Sequence, residues 1–224
     1  MSGLPHVAFV AGTLGPGGAE RQLYEQCRVL VDAGRPPLVL SLTSGEQWES
    51  RLRDLGVEVV WVGRSPRRLA RLGAVVAALR GRDVDVIQAS HAMANLYAVG
   101  AGWITRTPSI GALRTTPARV VSDLGGLGRS ALRTPHRLAG NSRANLDASL
   151  AFGVSADRLR FVPNVVDLER FAPASAHPAS RSVGVAYMGR LGPEKRVDVL
   201  IEALARLAAR GRPVPAVIVG AGPL

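Results

Sequence analysis

Short apolar runs alternate with longer amphipathic runs along most of this chain of 224 residues. The apolar runs have the length of buried strands, and the amphipathic runs repeat their apolar residues with the period of an α-helix. The predicted strands are 6–11, 38–42, 57–62, 84–89, 109–113 and 160–162, and the predicted helices are 19–33, 47–55, 66–79, 92–100 and a segment that Asn141 or Ser142 caps and that ends at 153. This alternation predicts βαβ units, and therefore an α/β fold built on a parallel sheet.

A small, polar segment at 174–182 predicts a linker between two domains. Residues 1–173 supply enough strands and helices for a first domain. Residues 183–224 supply a strand at 183–188, a helix at 197–209 and a strand at 216–219. A strand–helix–strand unit cannot cover both faces of a parallel sheet. We therefore expect 183–224 to be the beginning of a second domain, so that either the chain is a fragment or the remainder of that domain comes from elsewhere.

The net charge of +11 is consistent with nucleic acid, an anionic membrane surface or an anionic substrate as a partner. The arginine bias of a GC-rich genome explains the same charge without any partner. Nucleic acid is not expected, because base stacking needs aromatic residues among the cations and only 4% of the residues are aromatic. The single cysteine, Cys27, excludes an internal disulfide and fits a cytoplasmic protein. It lies on an apolar helical face, where we expect it to be buried.

Two segments that contain several arginines are candidates for contact with a membrane. Helix 66–79 is predicted to carry its apolar residues on one side, namely Leu69, Leu72, Val76 and Leu79. Residues 114–133 are glycine-rich and irregular, and predict a mobile loop with one short helix. Together the two segments can bind the inner face of an anionic membrane. The alternative is an ordinary helix that packs on the sheet and leaves its arginines in water.

The chain has one lysine, Lys195, in the turn between the strand 183–188 and the helix 197–209. An ammonium group is a compact point charge that suits phosphate, and a helix N-terminus favours an anion. A second glycine-rich turn, 12–21, lies between the first strand and the first helix. Its Gly15, Gly17 and Gly18 are expected to let the backbone approach a phosphate closely and to permit a positive φ. The two turns together suggest a diphosphate held between two sheets.

Three motifs, GPGGAER at 15–21, VPNVVDLERF at 162–171 and YMGRLGPEKRVDVLIEALARL at 187–207, resemble those of family-four glycosyltransferases with the GT-B fold. Val165 stands where the family more often has glycine. The resemblance implies two Rossmann-like domains, the second of them incomplete here. It also implies transfer of a sugar from a nucleotide-diphosphate-sugar to a saccharide or lipid-linked acceptor, with retention of configuration and without a metal ion or other cofactor.

The resemblance also implies roles for particular residues. Arg190 and Lys195 would bind the donor diphosphate together with the backbone at Gly17 and Gly18, and His91 would contact the donor sugar near the reacting carbon. Each has a structural alternative, because a solvated turn or a buried histidine explains the same residues. The acceptor-side candidates are Glu20, Arg21, Arg114 and Asn141. Glu20 can equally stabilise the start of the first helix, and Asn141 can cap a helix.

Two rival functions remain open. An NAD-dependent oxidoreductase shares a glycine-rich first turn, but it would need an acidic residue at the end of the second strand. Leu42, Thr43 and Ser44 stand there, and Glu46 follows only after Gly45. The other rival is a non-catalytic fragment that binds the acceptor. The family's two sugar-binding glutamates are expected beyond Leu224, so we expect little or no turnover from this chain alone.

Overall fold

The computed structural model describes residues 3–172 and 184–223. It contains two compact units, Met1–Val166 and Asp167–Leu224. The predicted linker at 174–182 lies outside the described residues.

The first unit alternates strands with helices, as the sequence pattern predicts. Its strands are β1 (Val7–Ala11), β2 (Leu38–Ser41), β3 (Glu58–Trp61), β4 (Val86–Ala89), β5 (Ser109–Leu113), β6 (Arg137–Gly140) and β7 (Leu159–Phe161). Its α-helices are α1 (Gly18–Asp32), α2 (Gln47–Asp54), α3 (Arg68–Leu79), α4 (Asn95–Thr105), α5 (Pro117–Leu124), α6 (Gly128–Arg133) and α7 (Arg143–Leu150). Short 3₁₀ turns at Ala92–Ala94, Gly125–Leu127 and Ala156–Arg158 complete the unit.

The seven strands form one parallel sheet in the order β3-β2-β1-β4-β5-β6-β7. The α/β class and the parallel sheet predicted from the sequence are therefore confirmed. The strand order reverses between β1 and β4, where Val10 is paired with Leu40 on one side and with Ala89 on the other. Ligands of open parallel sheets bind outside the carboxyl ends of the strands at such a reversal.

Helices cover both faces of the sheet, so β1 is buried on both sides. Val7 and Phe9 pack in one apolar cluster with Leu23 and Cys27 of α1, whereas Val10 packs in a second cluster on the opposite face. Burial raises the pKa of the Cys27 thiol to about 12. Cys27 is therefore a neutral core residue, as expected.

Helix α3 differs from the predicted amphipathic pattern at its first turn. Val76 and Leu79 are buried and Leu72 is partly buried, but Leu69 is 83% exposed. The prediction that Leu69 packs with the other three was wrong. Val75, which the pattern did not single out, is completely buried in its place.

Residues 114–133 form ordered helices, so the predicted mobile loop was wrong. Thr116 caps α5 by accepting a hydrogen bond from the Arg119 N–H, and Pro117 occupies the first helical position, where its missing N–H costs nothing. Val120 of α5 and Leu132 of α6 are buried in a third apolar cluster. Burial of these side chains against the sheet outweighs the glycine content that suggested a loop.

Two further helices differ from prediction in their bounds. The segment after β4 begins with the 3₁₀ turn and continues as α4 to Thr105, five residues past the predicted end at 100. Helix α7 is capped by the Ser142 hydroxyl, which accepts from the Asn145 N–H at 3.3 Å, so Ser142 rather than Asn141 caps this helix.

The second unit contains β8 (Val185–Met188), α8 (Val197–Ala209) and β9 (Ala216–Val219), with a 3₁₀ turn at Pro193–Lys195. The two strands are parallel and pair Tyr187 with Ile218, so they form a βαβ unit as expected. Among the described residues no helix combines the length and the apolar character that crossing a bilayer requires.

Candidate functional site

A cavity of about 450 Å³ lies at the carboxyl ends of β1, β4 and β5, which is the edge expected for a ligand site. We call it the site cavity. It is lined by Thr13, Gly18, Ala19, Glu20, His91, Ala92, Met93, Arg114, Thr115, Val120, Asp123 and Leu124. The cavity thus brings together four residues predicted from sequence, namely Gly18, Glu20, His91 and Arg114.

The glycine-rich turn between β1 and α1 is held by Glu46, which precedes α2. The Glu46 carboxylate accepts hydrogen bonds from the Thr13 hydroxyl at 2.9 Å, from the Leu14 N–H and from the Thr43 hydroxyl. Burial alone raises the pKa of Glu46, but these hydrogen bonds outweigh it and lower the pKa below its usual range. Glu46 therefore stays ionised and fixes the turn.

Sequence reasoning missed this role and considered Glu46 only as a ribose ligand. The carboxylate is committed to the turn of its own fold, so it does not present the free acidic group that a dinucleotide ribose requires. A local signal existed in the Thr-Ser-Gly-Glu segment 43–46, which places the carboxylate near the Thr43 hydroxyl. The partners Thr13 and Leu14 were not visible from sequence spacing.

The three glycines of this turn do not adopt a positive φ, so that part of the expectation was wrong. Gly17 is the N-cap residue of α1 and is extended, with φ of −165°. A Cβ at Gly17 would lie 2.1 Å from Glu20 Oε2, whereas a Cβ at Gly18 would meet nothing within 4 Å. A side chain at 17 would therefore require the end of the Glu20 side chain to move, whereas the extended backbone at 17 does not itself require glycine.

Glu20 and His91 form the central contact of the site. His91 Nε2 lies 2.8 Å from Glu20 Oε1, and the Glu20 side chain is only 8% exposed. Burial on its own raises the pKa of Glu20. The hydrogen bond and charge of His91, with a backbone N–H, outweigh burial and lower that pKa. Because a carboxylate only accepts, Nε2 is assigned the proton.

Ser90 completes a hydrogen-bonded chain, with its hydroxyl 2.7 Å from His91 Nδ1. The chain superficially resembles the triad of a hydrolase, but a nucleophile must reach the substrate. Ser90 is 4% exposed and does not line the site cavity. In addition, the triad template uses Nε2 to activate the serine, and here Nε2 faces the carboxylate. The arrangement therefore orients the His91 ring and does not activate Ser90.

Two acceptor-side candidates meet at Asn164. Arg114 Nη1 and Asn141 Nδ2 both donate to Asn164 Oδ1, at 3.1 and 3.2 Å. Burial lowers the pKa of the Arg114 guanidinium. Within residues 3–172 and 184–223, no carboxylate is recorded in an ion pair with Arg114. The third candidate, Arg21, does not line the site cavity, and its Nε lies 3.8 Å from Glu25 Oε1.

The segment that leaves the first unit is fastened to α1. Gln22 Nε2 donates to the Val165 carbonyl at 2.9 Å, and the Val165 N–H donates to Gln22 Oε1 at 2.6 Å. Both bonds use the backbone of Val165, so they do not depend on the identity of its side chain. Gln22 was not identified from sequence, because its partner lies 143 residues away.

In the second unit, the predicted diphosphate residues are exposed. Arg190 Nη2 lies 2.6 Å from Glu194 Oε1, and this contact raises the pKa of the Arg190 guanidinium. Lys195 ends the 3₁₀ turn, and its side chain makes no recorded ion pair with a described residue. Arg196, the N-cap residue of α8, has a left-handed backbone with φ of 51°. No group of three His, Cys, Asp or Glu side chains suited to a metal ion is found in the described ranges.

Comparison with protein families matches residues 16–170 to the model of Glycosyltransferase Family 4. Shorter matches are found to D-inositol 3-phosphate glycosyltransferases. The protein of Geodermatophilus obscurus is 40% identical over 65 residues, and that of Nocardia farcinica is 38% identical over 78 residues. These matches span 26% and 31% of this chain but only 14% and 17% of the relatives.

Solved structures are similar in fold over nearly the whole chain. Anabaena HepE in complex with UDP-glucose has a TM-score of 0.77 at 19% identity, covering 97% of this chain and 69% of that one. HepE in complex with UDP and glucose has a TM-score of 0.76 at 20% identity, covering 98% and 62%. MurG of Acinetobacter baumannii has a TM-score of 0.59 at 12% identity, covering 96% and 60%.

Proposed function

Because the chain belongs to Glycosyltransferase Family 4, we propose that the protein transfers a sugar from a nucleoside-diphosphate sugar to an acceptor hydroxyl with retention of configuration. The family and the GT-B-like fold expected from the three motifs are confirmed. The observation that carries the proposal is the site cavity, which presents His91 and the glycine-rich turn at the carboxyl edge of the sheet within the family match.

The similar proteins support the substrate classes. HepE binds UDP-glucose, which supports a nucleotide-sugar donor. The name D-inositol 3-phosphate glycosyltransferase supports an acceptor that combines hydroxyl groups with an anionic group. The match covers 62% of the HepE chain in complex with UDP and glucose, and 14% of the Geodermatophilus obscurus protein. The proposal therefore concerns the activity of the whole protein.

Charge stabilisation is the main chemical task. Departure of the nucleoside diphosphate places negative charge on its phosphate oxygens, and fixed cations and N–H groups that face this charge lower the barrier. We assign this role to Arg190 and Lys195, with the backbone at Gly17 and Gly18. Arg190 can bind two oxygens once it exchanges its contact with Glu194, and Lys195 adds a point charge. We expect these cations and N–H groups to stabilise the departing diphosphate without a metal ion.

His91 is assigned to the donor sugar beside the reacting carbon. Its Nε2–H faces the site cavity, where Glu20 now accepts its hydrogen bond. A sugar hydroxyl can replace or share that contact, while Ser90 keeps Nδ1 in place. Glu20 is therefore a positioning residue in this scheme. In retaining transfer the acceptor hydroxyl attacks on the face that the diphosphate leaves.

Arg114 and Asn141 are assigned to the acceptor side. Asp123 lines the site cavity but lies 2.8 Å from Arg119, and Glu20 is engaged by His91. Both carboxylates of the cavity thus have a hydrogen-bond partner, whereas among the described residues Arg114 is hydrogen-bonded only to the neutral Asn164 amide. An acceptor with an anionic group would balance the Arg114 charge.

We also propose contact with an anionic membrane on the cytoplasmic side. Arg67 and Arg68 are exposed at the start of α3 beside the exposed Leu69, which is the combination that an interfacial helix uses. The full-length protein is expected to sediment with anionic vesicles and to be released by salt. Equal sedimentation with neutral vesicles would contradict this part.

The central test measures release of nucleoside diphosphate from a panel of UDP-, GDP- and ADP-sugars by the full-length protein. We expect saturable, acceptor-dependent release from one donor, and a product with the anomeric configuration of that donor by NMR. His91→Ala should lower kcat by about 100-fold or more. His6→Ala is the matched control, because His6 precedes β1 at the opposite end of the strand and binds the Asp83 carbonyl. Tight binding of NADH with no sugar transfer would favour the oxidoreductase instead.

A further inference from the structure

A second cavity of about 370 Å³ lies beside the site cavity, between α3, α4 and the segment that contains α5. We call it the apolar groove. Its walls are formed mainly by Leu42, Leu69, Leu72, Leu96, Tyr97 and Leu127. Its volume falls within the range of small-molecule sites, which are apolar with a few polar groups.

The apolar groove adjoins the site cavity. Met93 and Leu124 line both of them. These two side chains therefore separate an apolar groove from the cavity that contains His91.

Several groove residues leave apolar surface in water. Leu69 is 83% exposed, Met93 54% and Leu127 42%. Single exposed apolar residues are ordinary, but a cluster of them around a concavity marks a place where an apolar ligand or partner binds. The three side chains come from three different elements, so no single helix pattern accounts for them.

The groove also carries positive charge. Arg68 and Arg71 line it, and no carboxylate does so among the described residues. Arg71 Nε donates to the Ser65 carbonyl at 2.6 Å, a neutral partner. No ion pair between either arginine and a described carboxylate is recorded. An apolar chain attached to an anionic group matches this combination.

We propose that the apolar groove binds the hydrocarbon chain of an anionic lipid acceptor whose reacting head lies in the site cavity. The inference rests on the proposed glycosyl transfer and narrows the acceptor to a lipid phosphate. Leu69, Met93 and Leu127 contact the chain. Arg68 and Arg71 attract the phosphate from the groove, as Arg114 does from the site cavity. Arg68 and Leu69 are also among the residues proposed for membrane contact, so the vesicle and probe measurements below distinguish the two interactions.

The test uses dodecyl phosphate below its micellar concentration, butyl phosphate and uncharged dodecyl glucoside as probes. Titration calorimetry on the full-length protein should show dodecyl phosphate binding at least about tenfold more tightly than butyl phosphate, because the longer chain buries more apolar surface. Leu69→Gln with Leu127→Gln should remove this preference and leave butyl phosphate unchanged. Arg68→Gln with Arg71→Gln should weaken dodecyl phosphate but not dodecyl glucoside.

Both substituted leucines are exposed, so folding should be preserved, and Val29→Gln is the matched control. Val29 is 50% exposed on α1 and lines neither cavity. Equal affinity of the two phosphates in the unchanged protein would overturn the proposal. So would a leucine variant that loses vesicle binding but keeps dodecyl phosphate, because these side chains would then contact the bilayer surface.

A transfer assay separates this proposal from the proposed function. If the leucine variant has an unchanged KM both for a soluble polyol phosphate and for a lipid phosphate, the proposed sugar transfer stands and the groove proposal fails. If the KM for the lipid acceptor alone rises by about tenfold, both stand. If the unchanged protein binds dodecyl phosphate but releases no nucleoside diphosphate from any donor, the proposed function fails and so does the acceptor role of the groove.

Discussion

The two glycine-rich turns share the order strand, turn, helix, but they hold their charged groups in different ways. In the turn between β1 and α1, Glu20 is 6% exposed and bound to His91, and Glu46 accepts three hydrogen bonds. In the turn after β8, the side chains of Arg190 and Glu194 are 70% and 50% exposed. The first turn is organised before any ligand binds, whereas the second holds its cations in water.

This difference assigns the two turns different tasks. Groups fixed in a buried site need no reorganisation when charge develops, so under the proposed function we assign them to orienting the reacting sugar. Exposed cations gain their largest effect only when a phosphate removes them from water. Mutations in the first turn should therefore act on stability and on His91, and mutations in the second on the reaction alone.

The largest expected effect is the loss of catalytic efficiency when Lys195 is substituted. Lys195→Ala in the full-length protein should lower kcat/KM for the nucleotide-sugar by about 100- to 1000-fold, roughly 3–4 kcal/mol of transition-state stabilisation. The melting temperature should not change, because the side chain is exposed. Arg206→Ala is the control, since Arg206 is an exposed cation of α8 that pairs with Glu202. A loss below about threefold would remove Lys195 from the reaction.

The next effect separates two adjacent glycines of the first turn. Gly17→Ala would place a Cβ 2.1 Å from Glu20 Oε2 and displace the carboxylate from His91, at a cost of about 1.5–3 kcal/mol for a charged hydrogen bond. Gly18→Ala meets nothing within 4 Å and should leave stability unchanged or slightly higher. Urea unfolding of both variants checks this. Equal destabilisation would mean that Glu20 is not held against Gly17.

A smaller effect is expected at Glu46. Glu46→Gln keeps one oxygen acceptor but loses the charge that three donors share, so the free energy of unfolding should fall by about 0.5–1.5 kcal/mol. Glu49→Gln in α2 is the comparison, because Glu49 bonds to Arg53 and to the Gly45 N–H and not to the first turn. If Glu46→Gln left stability unaltered, the first turn would not depend on that carboxylate.

The smallest effect is a pH dependence. The pKa of Glu20 is lowered in the folded state, so ionised Glu20 stabilises the fold above the unfolded value, about 4.3, and this contribution is lost as the pH falls through the folded pKa. Between pH 6 and 3, the free energy of unfolding should fall more steeply with decreasing pH for the unchanged protein than for Glu20→Gln.

The exposed Glu194 sharpens this test, because its pKa is also lowered, by the hydrogen bond from Arg190. Added salt should abolish any pH effect of Glu194→Gln and leave that of the buried Glu20 largely intact. Identical salt sensitivity of the two variants would show that Glu20 is not shielded from solvent.

The sequence by itself determined the class of the fold and the place of both turns. Apolar runs of strand length and the helical period are local properties, so β5, α8 and β9 have the predicted bounds. The predicted site residues Gly18, Glu20, His91 and Arg114 were found from motif and position at strand ends. They meet in one cavity because the carboxyl ends of parallel strands lie at one edge.

Only the tertiary structure decided which side chains are partners. Glu20 and His91 are 71 residues apart, Thr13 and Glu46 are 33 apart, and Gln22 and Val165 are 143 apart. The first two pairs form because β1 lies between β2 and β4, an arrangement that no local pattern encodes. The third pair joins α1 to the segment that follows β7. Tertiary structure also decided that 114–133 forms helices and that Leu69 is exposed. In both cases burial against distant elements outweighs the preference of a short segment.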